Sequence, residues 1–274
     1  MDFKKLLIRA ASGLIYIGII IGCILWGAIP FNVMAAVFAS LAVIEFEKIT
    51  HELNAKTIPT LILDIVGAIC LTFSWLAYPF MVWIFVMVCR MTLQLYIKSD
   101  TPLADLAKST MTQIYIGLPL GIMTSMGNMV GLNFVLAIFF MIWINDTGAF
   151  IVGSTLGRHH LFERISPKKS WEGFFGGLVF NMVAGWLFYA YGKTFFGLQS
   201  FCMWQSIVLG VVVTVFGTWG DLIESMIKRN LQIKDSGNII PGHGGILDRI
   251  DSLLLVMPAV LLYVMCLLTE MPLN

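Results

Sequence analysis

The chain has 274 residues, of which 58% are hydrophobic and 12% are charged, and its formal net charge is +1 at pH 7. Soluble globular domains carry about 25% charged residues, so this composition, with a mean hydropathy of +0.88, excludes an ordinary soluble domain. The net charge by itself identifies no partner, and we expect no nucleic acid among the partners.

Nine apolar segments approach the length that a helix needs to cross a bilayer, which is about 20 residues. They cover residues 12–29, 31–47, 58–78, 80–97, 112–130, 132–151, 174–192, 203–221 and 252–269. We therefore predict an all-α polytopic membrane protein with about nine transmembrane helices. The chain then divides into helices 1–4 (residues 1–110), helices 5–7 with a Ser-Pro-Lys-Lys loop (111–200) and helices 8–9 with a long polar loop (201–274).

Positive charge alternates between the loops that join these segments. Fifteen of the seventeen Lys and Arg residues lie on alternate loops, which the positive-inside rule assigns to the cytoplasmic side. The exceptions are Lys193, on an opposite loop, and Arg90, within a span. We therefore predict an integral protein of the cell inner or plasma membrane, with the N-terminus and both long polar loops in the cytoplasm and the C-terminus outside.

Charged side chains are few within the first predicted helices. Asp64 and Arg90 lie in neighbouring predicted spans, where an ionisable residue is a functional hypothesis by default. A structural ion pair between them and a role with substrate both fit the sequence, and we favour the pair. Glu45 and Glu47, near the end of the second span, are interpreted as part of a solvated helix end without a functional role.

A basic, glycine-punctuated loop separates the sixth and seventh predicted spans. Asp146 lies near the inner end of the sixth span and is costly there unless it is paired or hydrated. Ser166, Lys168, Lys169 and Ser170 offer two hydroxyls and two ammonium groups directly before a helix, which is typical of a polyphosphate-binding segment. Such a loop also anchors proteins to anionic lipid headgroups, and the residues alone leave both alternatives open.

The longest charged stretch follows the eighth predicted span. Asp221, Glu224, Ser225 and Lys228 have the i, i+3, i+4, i+7 spacing of one helix face. Downstream, the glycines of Gly242–Gly245 allow backbone turns closed to other residues. A glycine-rich turn before a helix presents N–H groups to an anion. Basic residues, carboxylates and an anion-binding turn in one loop indicate phosphate chemistry.

This loop resembles the signature of the phosphatidate cytidylyltransferase family. The shared pattern consists of Ser225, two residues, Lys228-Arg229, four residues, Lys234-Asp235, Pro241, His243-Gly244-Gly245, Asp248-Arg249 and Asp251. The Ser-Pro-Lys-Lys-Ser-Trp-Glu-Gly run resembles a second block of the family, with Ser170 in place of threonine. Asp146, Ala149 and Gly153 resemble a third block, with Phe150 in place of tyrosine. The resemblance extends over residues 140–260.

The resemblance implies an enzyme that transfers the cytidylyl group of CTP to phosphatidic acid, releasing pyrophosphate and forming CDP-diacylglycerol for phospholipid biosynthesis. It also implies a homodimer in the lipid bilayer, with Mg²⁺ held by Asp221 and Asp248 and a potassium ion beside it. Carboxylates are ligands that Mg²⁺ favours together with phosphate oxygens. Salt bridges from these two aspartates to Lys228 and Arg249 are the structural alternative.

The family pattern suggests roles for the polar residues of the two loops. We expect catalysis to involve Asp221, Asp248, Lys228 and Arg229. Substrate binding is expected at Ser166, Lys168, Lys169, Ser170, Ser225, Lys234, His243, Gly244, Gly245 and Arg249. Further polar contributors are Asp146, Glu224 and Asp251. His243 either contacts phosphate or caps its turn.

Two other classes of function fit parts of the sequence. A CTP-dependent kinase for a polyprenol-type lipid alcohol would use the same nucleotide. A transporter would explain the spans together with Asp64 and Arg90, although no inverted repeat between the two halves supports it. Product analysis separates the three classes, since cytidylyl transfer releases pyrophosphate, kinase transfer releases CDP and transport releases neither.

Overall fold

A computed structural model describes residues 3–50, 57–239 and 244–270 of the chain. Within these ranges the backbone forms ten α-helices, a five-residue π-helical turn and one short antiparallel hairpin. Two compact units are present, one made of Met1–Asn128 and Ile233–Ile250 and the other of Met129–Gln232 and Asp251–Asn274. The high helical content agrees with the predicted all-α membrane fold, to which the hairpin is an addition.

The helices before the unit boundary at residue 128 follow one another along the chain. In the described residues their bounds are α1 Phe3–Trp26, α2 Ala28–Thr50, α3 Ile58–Thr72, α4 Ala77–Gln94, α5 Pro102–Thr112 and α6 Leu118–Met129. A π-helical turn, Gln113–Gly117, joins α5 to α6 without a break in the helical backbone. Helix α5 begins with Pro102, whose missing N–H would have no partner in the first turn of a helix.

The second unit consists of long helices and the hairpin. Its elements are α7 Leu132–Leu156, β1 His160–Phe162, β2 Ser166–Ser170, α8 Trp171–Gly192, α9 Met203–Asn230 and the part of α10 (Leu247–Glu270) that begins at Asp251. Strand β1 pairs antiparallel with β2, with His160 opposite Ser170 and Phe162 opposite Ser166. The segment that the sequence suggested to be an irregular basic loop is therefore an ordered strand.

Six helices in the described ranges are long and apolar enough to cross a membrane. They are α2, α4, α7, α8, α9 and Leu247–Leu267 of α10. These helices support the predicted polytopic membrane protein. The first and third predicted spans correspond to shorter apolar helices, Ala11–Trp26 and α3, and the fifth contains the π-helical turn. The exact number of crossings therefore stays a prediction.

The first unit buries the predicted ion pair between α3 and α4. Arg90 Nε lies 3.6 Å from Asp64 Oδ2, and the two side chains are 4% and 1% exposed. Ser109 donates a hydrogen bond to Asp64, and Arg90 Nη1 donates to Gln94 Oε1 at 2.9 Å. The prediction of a mutual pair is confirmed. Hydrogen bonds on both partners offset part of the cost of burying the two charges.

The interpretation of Glu45 and Glu47 as part of a solvated helix end is wrong. Glu45 is 2% exposed and Glu47 is 4% exposed. Glu47 Oε1 accepts a hydrogen bond from Thr112 Oγ1 at 3.1 Å, and Glu45 accepts hydrogen bonds from Ser236, Ile246 and Leu247 of the same unit. The charged residues near the end of the helix led to the prediction that their side chains are exposed, but other segments of the first unit cover this part of α2.

Helices α8 and α9 pack closely because glycines lie where the two backbones approach each other. A Cβ atom at Gly185 would meet the carbonyl oxygen of Ser206, and one at Gly210 would meet that of Asn181. Asn181 Nδ2 donates to Thr214 Oγ1 at 2.9 Å, and both of these side chains are fully buried. Small residues and buried polar contacts are common means of association for helices in lipid.

Candidate active site

The hairpin between α7 and α8 is tied to the start of α8. Ser170 ends β2 and caps α8, since its Oγ accepts a hydrogen bond from the Gly173 N–H at 3.1 Å. Glu172 accepts hydrogen bonds from the N–H groups of Arg158 and His159 at 3.1 and 3.2 Å. Its Oε1 also lies 2.6 Å from His159 Nδ1. The hairpin is therefore held at the residues before β1 and at the last residue of β2.

The second unit contains a cavity of about 490 Å³ beside this hairpin. Its polar lining comes from α7, β2 and α9 and consists of Asn145, Asp146, Ser154, Lys168, Lys169, Ser170, Thr218 and Asp221. Five of the predicted site residues thus surround one space. Two ammonium groups and two carboxylates in one cavity suit a polyphosphate accompanied by a hard cation.

Asp221 lies on α9 and forms an ion pair in this cavity. Lys169 Nζ lies 2.6 Å from Asp221 Oδ2, and the two side chains are 25% and 38% exposed. Ser225, one turn further along α9, donates to Asp221 Oδ1 at 3.3 Å. Lys228 Nζ pairs with Glu224 Oε2 at 2.6 Å. The predicted helix face is confirmed.

Other predicted residues of the second unit lie around the ends of these elements. Ser166 is the first residue of β2. Arg229, exposed near the end of α9, donates from Nε to the carbonyl oxygen of Ile165 in the hairpin at 3.4 Å. Asp251 lies in the second turn of α10, where a Cβ atom at Gly220 of α9 would be 2.6 Å from the Asp251 carbonyl oxygen. The backbones of α9 and α10 therefore approach closely at this point.

Asp248 lies at the start of α10 in the first unit and is surrounded by hydrogen-bond donors. Its Oδ2 accepts from the Ser236 N–H at 3.0 Å, from Ser236 Oγ at 3.0 Å and from the Gly245 N–H at 2.8 Å. Its predicted position in the first turn of the last helix is confirmed. Lys234 precedes this network in the sequence and Arg249 follows it, and both side chains are exposed. Their contacts with phosphate stay predictions.

The glycine turn before α10 matches the prediction in its backbone and differs in its hydrogen bonds. Gly244 has a φ of +82°, in the left-handed region that favours glycine. However, the N–H groups of Gly245–Leu247 donate to the carboxylates of Asp248 and Glu45 at 2.8–2.9 Å. They are therefore occupied by the protein itself rather than open to an anion. His243 lies outside the described residues.

The two predicted metal ligands belong to different units, Asp221 to the second and Asp248 to the first. In the part of the chain that the structure describes, no three His, Cys, Asp or Glu side chains form a metal-binding group. Mg²⁺ commonly takes one or two carboxylates and completes its shell with phosphate oxygens and water. Asp221 fits this chemistry because it shares the cavity lining with Asp146. The joint role of Asp221 and Asp248 stays a prediction.

Three residues in these regions had no assigned role in the sequence: Glu45, Glu172 and Ser236. Glu45 lies inside the second predicted span, where a carboxylate is costly, so the sequence does contain a signal for it. Glu172 and Ser236 act through contacts with backbone groups and side chains that are distant in sequence or lie in turns. Residue spacing does not reveal contacts of that kind.

Comparison with known proteins supports the family resemblance that the sequence motifs suggested. The sequence matches the model of the Cytidylyltransferase family over residues 7–267. It is similar to the phosphatidate cytidylyltransferase of Bacillus subtilis (strain 168), with 31% identity in an alignment of 274 residues that covers 94% of this chain and 96% of the relative. Proteins of the same name from Staphylococcus haemolyticus and Staphylococcus epidermidis are 42% and 43% identical over 128 residues. These two alignments cover 47% of this chain and 47% of each relative, so the chain spans about half the length of the staphylococcal relatives that it matches.

Proposed function

This chain belongs to the cytidylyltransferase family, and we propose from that premise that it transfers the cytidylyl group of CTP to phosphatidic acid, forming CDP-diacylglycerol and pyrophosphate. The observation that carries the proposal is the family match over residues 7–267. Relatives named phosphatidate cytidylyltransferase support the choice of lipid substrate. In the part of the chain that the structure describes, six helices are long and apolar enough to cross a membrane, which agrees with a substrate that resides in a bilayer.

The proposed reaction joins two polyanions, so its main requirement is charge neutralisation rather than proton transfer. A phosphate monoester has a second pKa near 6, so phosphatidic acid is largely deprotonated at neutral pH and supplies its own nucleophilic oxygen. That oxygen attacks the α-phosphorus of CTP, the bond from this phosphorus to the bridging oxygen breaks, and pyrophosphate leaves with the bonding electrons. No side-chain nucleophile is needed.

The cavity of the second unit supports this chemistry with its ammonium groups. Lys168 and Lys169 both line it, and preorganised cations that face a transferring phosphoryl group lower the energy of the transition state. Lys169 is oriented by its 2.6 Å contact with Asp221. We assign to these two lysines the phosphates of CTP, with Ser166 and Ser170 as hydroxyl contacts in the same strand.

A magnesium ion is part of the proposal, with Asp221 and Asp248 as the carboxylates that would hold it and a potassium ion beside it. When bound, it would neutralise charge on the phosphates of CTP and on the departing pyrophosphate. The support is the family pattern around the two aspartates and the hard oxygen donors Asp146 and Asp221 in the cavity lining.

The proposal extends to topology and assembly. Nine crossings, with the N-terminus and both polar segments in the cytoplasm, would give the site direct access to CTP. The alternation of Lys and Arg between loops supports this orientation. The homodimer rests on the family resemblance alone.

Product analysis tests the proposed function. The purified protein would be supplied with phosphatidic acid in mixed detergent micelles, Mg²⁺ and CTP labelled at its α-phosphate. We expect the label in CDP-diacylglycerol, with one pyrophosphate released for each lipid product. Labelled CDP together with a newly phosphorylated lipid alcohol, when one is supplied, would identify a kinase instead. Unchanged CTP under both conditions would overturn an enzymatic function with this nucleotide.

A further inference from the structure

We propose that Glu45 on α2 is a positioning residue that holds the loop before α10, and through it Asp248, in the geometry needed for catalysis. The proposal rests on the proposed function, because that function gives Asp248 its catalytic role. Both residues, and every contact described below, lie within the first compact unit.

The Glu45 carboxylate binds the residues that begin α10 at two points. Its Oε1 accepts a hydrogen bond from the Ile246 N–H and its Oε2 accepts one from the Leu247 N–H, both at 2.9 Å. The first N–H groups of a helix have no partner within the helix. A carboxylate that takes one of them on each oxygen fixes both the position and the direction of the helix start, one residue before Asp248.

The surroundings of Glu45 explain why a buried carboxylate is stable there. Its side chain belongs to a residue that is 2% exposed. Within the described ranges, its hydrogen-bond donors are two backbone N–H groups and one hydroxyl rather than a Lys or Arg side chain. The N-terminus of a helix carries a partial positive charge, and hydrogen bonds from N–H groups to a carboxylate are stronger than those between neutral groups. The negative charge on Glu45 is therefore part of the contact.

The Ser236 hydroxyl lies between the carboxylates of Glu45 and Asp248. Its Oγ lies 3.4 Å from Glu45 Oε2 and 3.0 Å from Asp248 Oδ2, and its N–H donates to the same Asp248 oxygen at 3.0 Å. A hydroxyl has one proton to donate, so the shorter contact, to Asp248, is the stronger one. Ser236 thus supports Asp248 directly and lies against Glu45, while Glu45 acts on Asp248 through the backbone at the start of α10.

Two glycines show how tightly the loop passes over Glu45. A Cβ atom at Gly237 would lie 2.6 Å from Glu45 Oε1, and one at Gly245 would meet Glu45 Oε2 and Ser236 Oγ. Only a residue without a side chain fits at these points unless the carboxylate moves. The glycines at 237 and 245 are therefore explained by the approach of the loop to Glu45, independently of any substrate.

The test is Glu45→Gln with Glu47→Gln as the matched control. Glutamine keeps the size of the side chain but places an NH₂ group against a backbone N–H, so one of the two contacts with α10 is lost. Glu47 lies on the same helix and is also buried, and it accepts a hydrogen bond from Thr112 on α5. We expect Glu45→Gln to lower kcat by about tenfold or more and Glu47→Gln to change it by less than about twofold.

Two further measurements separate positioning from a general loss of structure. Hydrogen exchange followed by mass spectrometry should show faster exchange of the amides in 236–239 and 244–248 for Glu45→Gln, with peptides from α7 to α9 unchanged. In an Asp248→Asn background, adding Glu45→Gln should lower the residual rate by less than about twofold, because residues that act through one group are not additive. Normal exchange and activity in Glu45→Gln, or an equal loss in the Asp248→Asn background, would overturn the proposal.

The role of Glu45 can still be tested if Glu45→Gln does not fold or if the proposed function is wrong. Ser236→Ala removes only the hydroxyl connection and should lower kcat by a smaller factor, about threefold, with faster exchange at 244–248. If the wild-type protein forms no CDP-diacylglycerol, the proposed function is wrong, while the exchange data still test whether Glu45 holds the loop. If Glu45→Gln cannot be purified, Glu45→Asp replaces it, because the shorter side chain cannot reach both the Ile246 and the Leu247 N–H groups; unchanged exchange and turnover in that variant would contradict the proposal.

Discussion

Among single residues, the ion pair between Lys169 and Asp221 bears most directly on the chemistry of the cavity. Its atoms are 2.6 Å apart, and both side chains are partly exposed. An ion pair in contact with solvent contributes about 0–1 kcal/mol to stability. Replacing Asp221 should therefore leave the fold intact, so that an effect on the reaction can be attributed to the site.

We predict that Asp221→Asn lowers turnover by about a hundredfold. Asparagine keeps the size of the side chain and can accept the hydrogen bond from Ser225, but it lacks the charge that a hard cation requires. The measurement is the rate of CDP-diacylglycerol formation over a series of Mg²⁺ concentrations. The half-maximal rate should require more Mg²⁺ than in the wild type.

The matched control for this change is Asp100→Asn. Asp100 is exposed and does not line the cavity, so its replacement should leave both turnover and the Mg²⁺ dependence unchanged. Near-normal turnover of Asp221→Asn with an unshifted Mg²⁺ dependence would mean that Asp221 serves only as the partner of Lys169. Asp221 would then be removed from the proposed metal site.

Among the helices and strands, the packing of α8 against α9 determines the shape of the second unit. Helix α8 begins at the capping residue Ser170, and α9 carries Asp221. Both residues line the cavity. The distance between the two helices, which Gly185 and Gly210 keep short, therefore influences the width of the space that the nucleotide phosphates would occupy.

We predict that Gly210→Ala destabilises the protein by about 1–3 kcal/mol. The added Cβ atom would meet the backbone carbonyl oxygen of Asn181, and a backbone atom cannot rotate away as a flexible side chain can. The measurement is the thermal unfolding midpoint in detergent. Gly22→Ala is the control, because a Cβ atom at Gly22 on α1 would have nothing within 4 Å.

The control variant should be neutral or slightly more stable, since alanine has a higher helix propensity than glycine. Equal midpoints for Gly210→Ala and Gly22→Ala would show that α8 and α9 can separate at no cost. The close approach of the two backbones would then not limit the shape of the cavity.

For the whole molecule, the distribution of Lys and Arg predicts the orientation of the chain in the membrane, which the fold alone does not. Among the described residues, six helices are long and apolar enough to span a bilayer, but their length does not say in which direction each one crosses. The alternation of Lys and Arg between loops predicts which loops face the cytoplasm. The proposed use of CTP requires the hairpin and the loop before α10 to face the cytoplasm.

We predict that a cysteine at Asn238 is labelled only from the cytoplasmic side of intact cells. Asn238 is exposed, whereas a side chain at the adjacent Gly237 would collide with Glu45. The five native cysteines would first be replaced. A cysteine at Gln199, an exposed residue between α8 and α9, is the control and should be labelled only from outside. Labelling of Asn238→Cys from outside alone would overturn the topology and the proposed access to CTP.

The membrane class, most of the long helices and the family could all be predicted from the order of the amino acids. The sequence also predicted the face of α9 that carries Asp221, Glu224, Ser225 and Lys228, and the position of Asp248 at the start of the last helix. These features depend on composition, on spacing along one helix and on the order of residues in a motif. All three can be read without knowing which segments of the chain are neighbours in space.

The partners of the charged groups, in contrast, became known from the folded chain. Asp221 pairs with Lys169 of the hairpin, and Glu45, interpreted as solvated, binds the start of α10. The hairpin and the π-helical turn also appear only in the structure. The physical reason is that burial and hydrogen bonding are set by segments far apart in sequence. A carboxylate that looks exposed at the end of one helix becomes a buried acceptor once the N-terminus of another helix is packed against it.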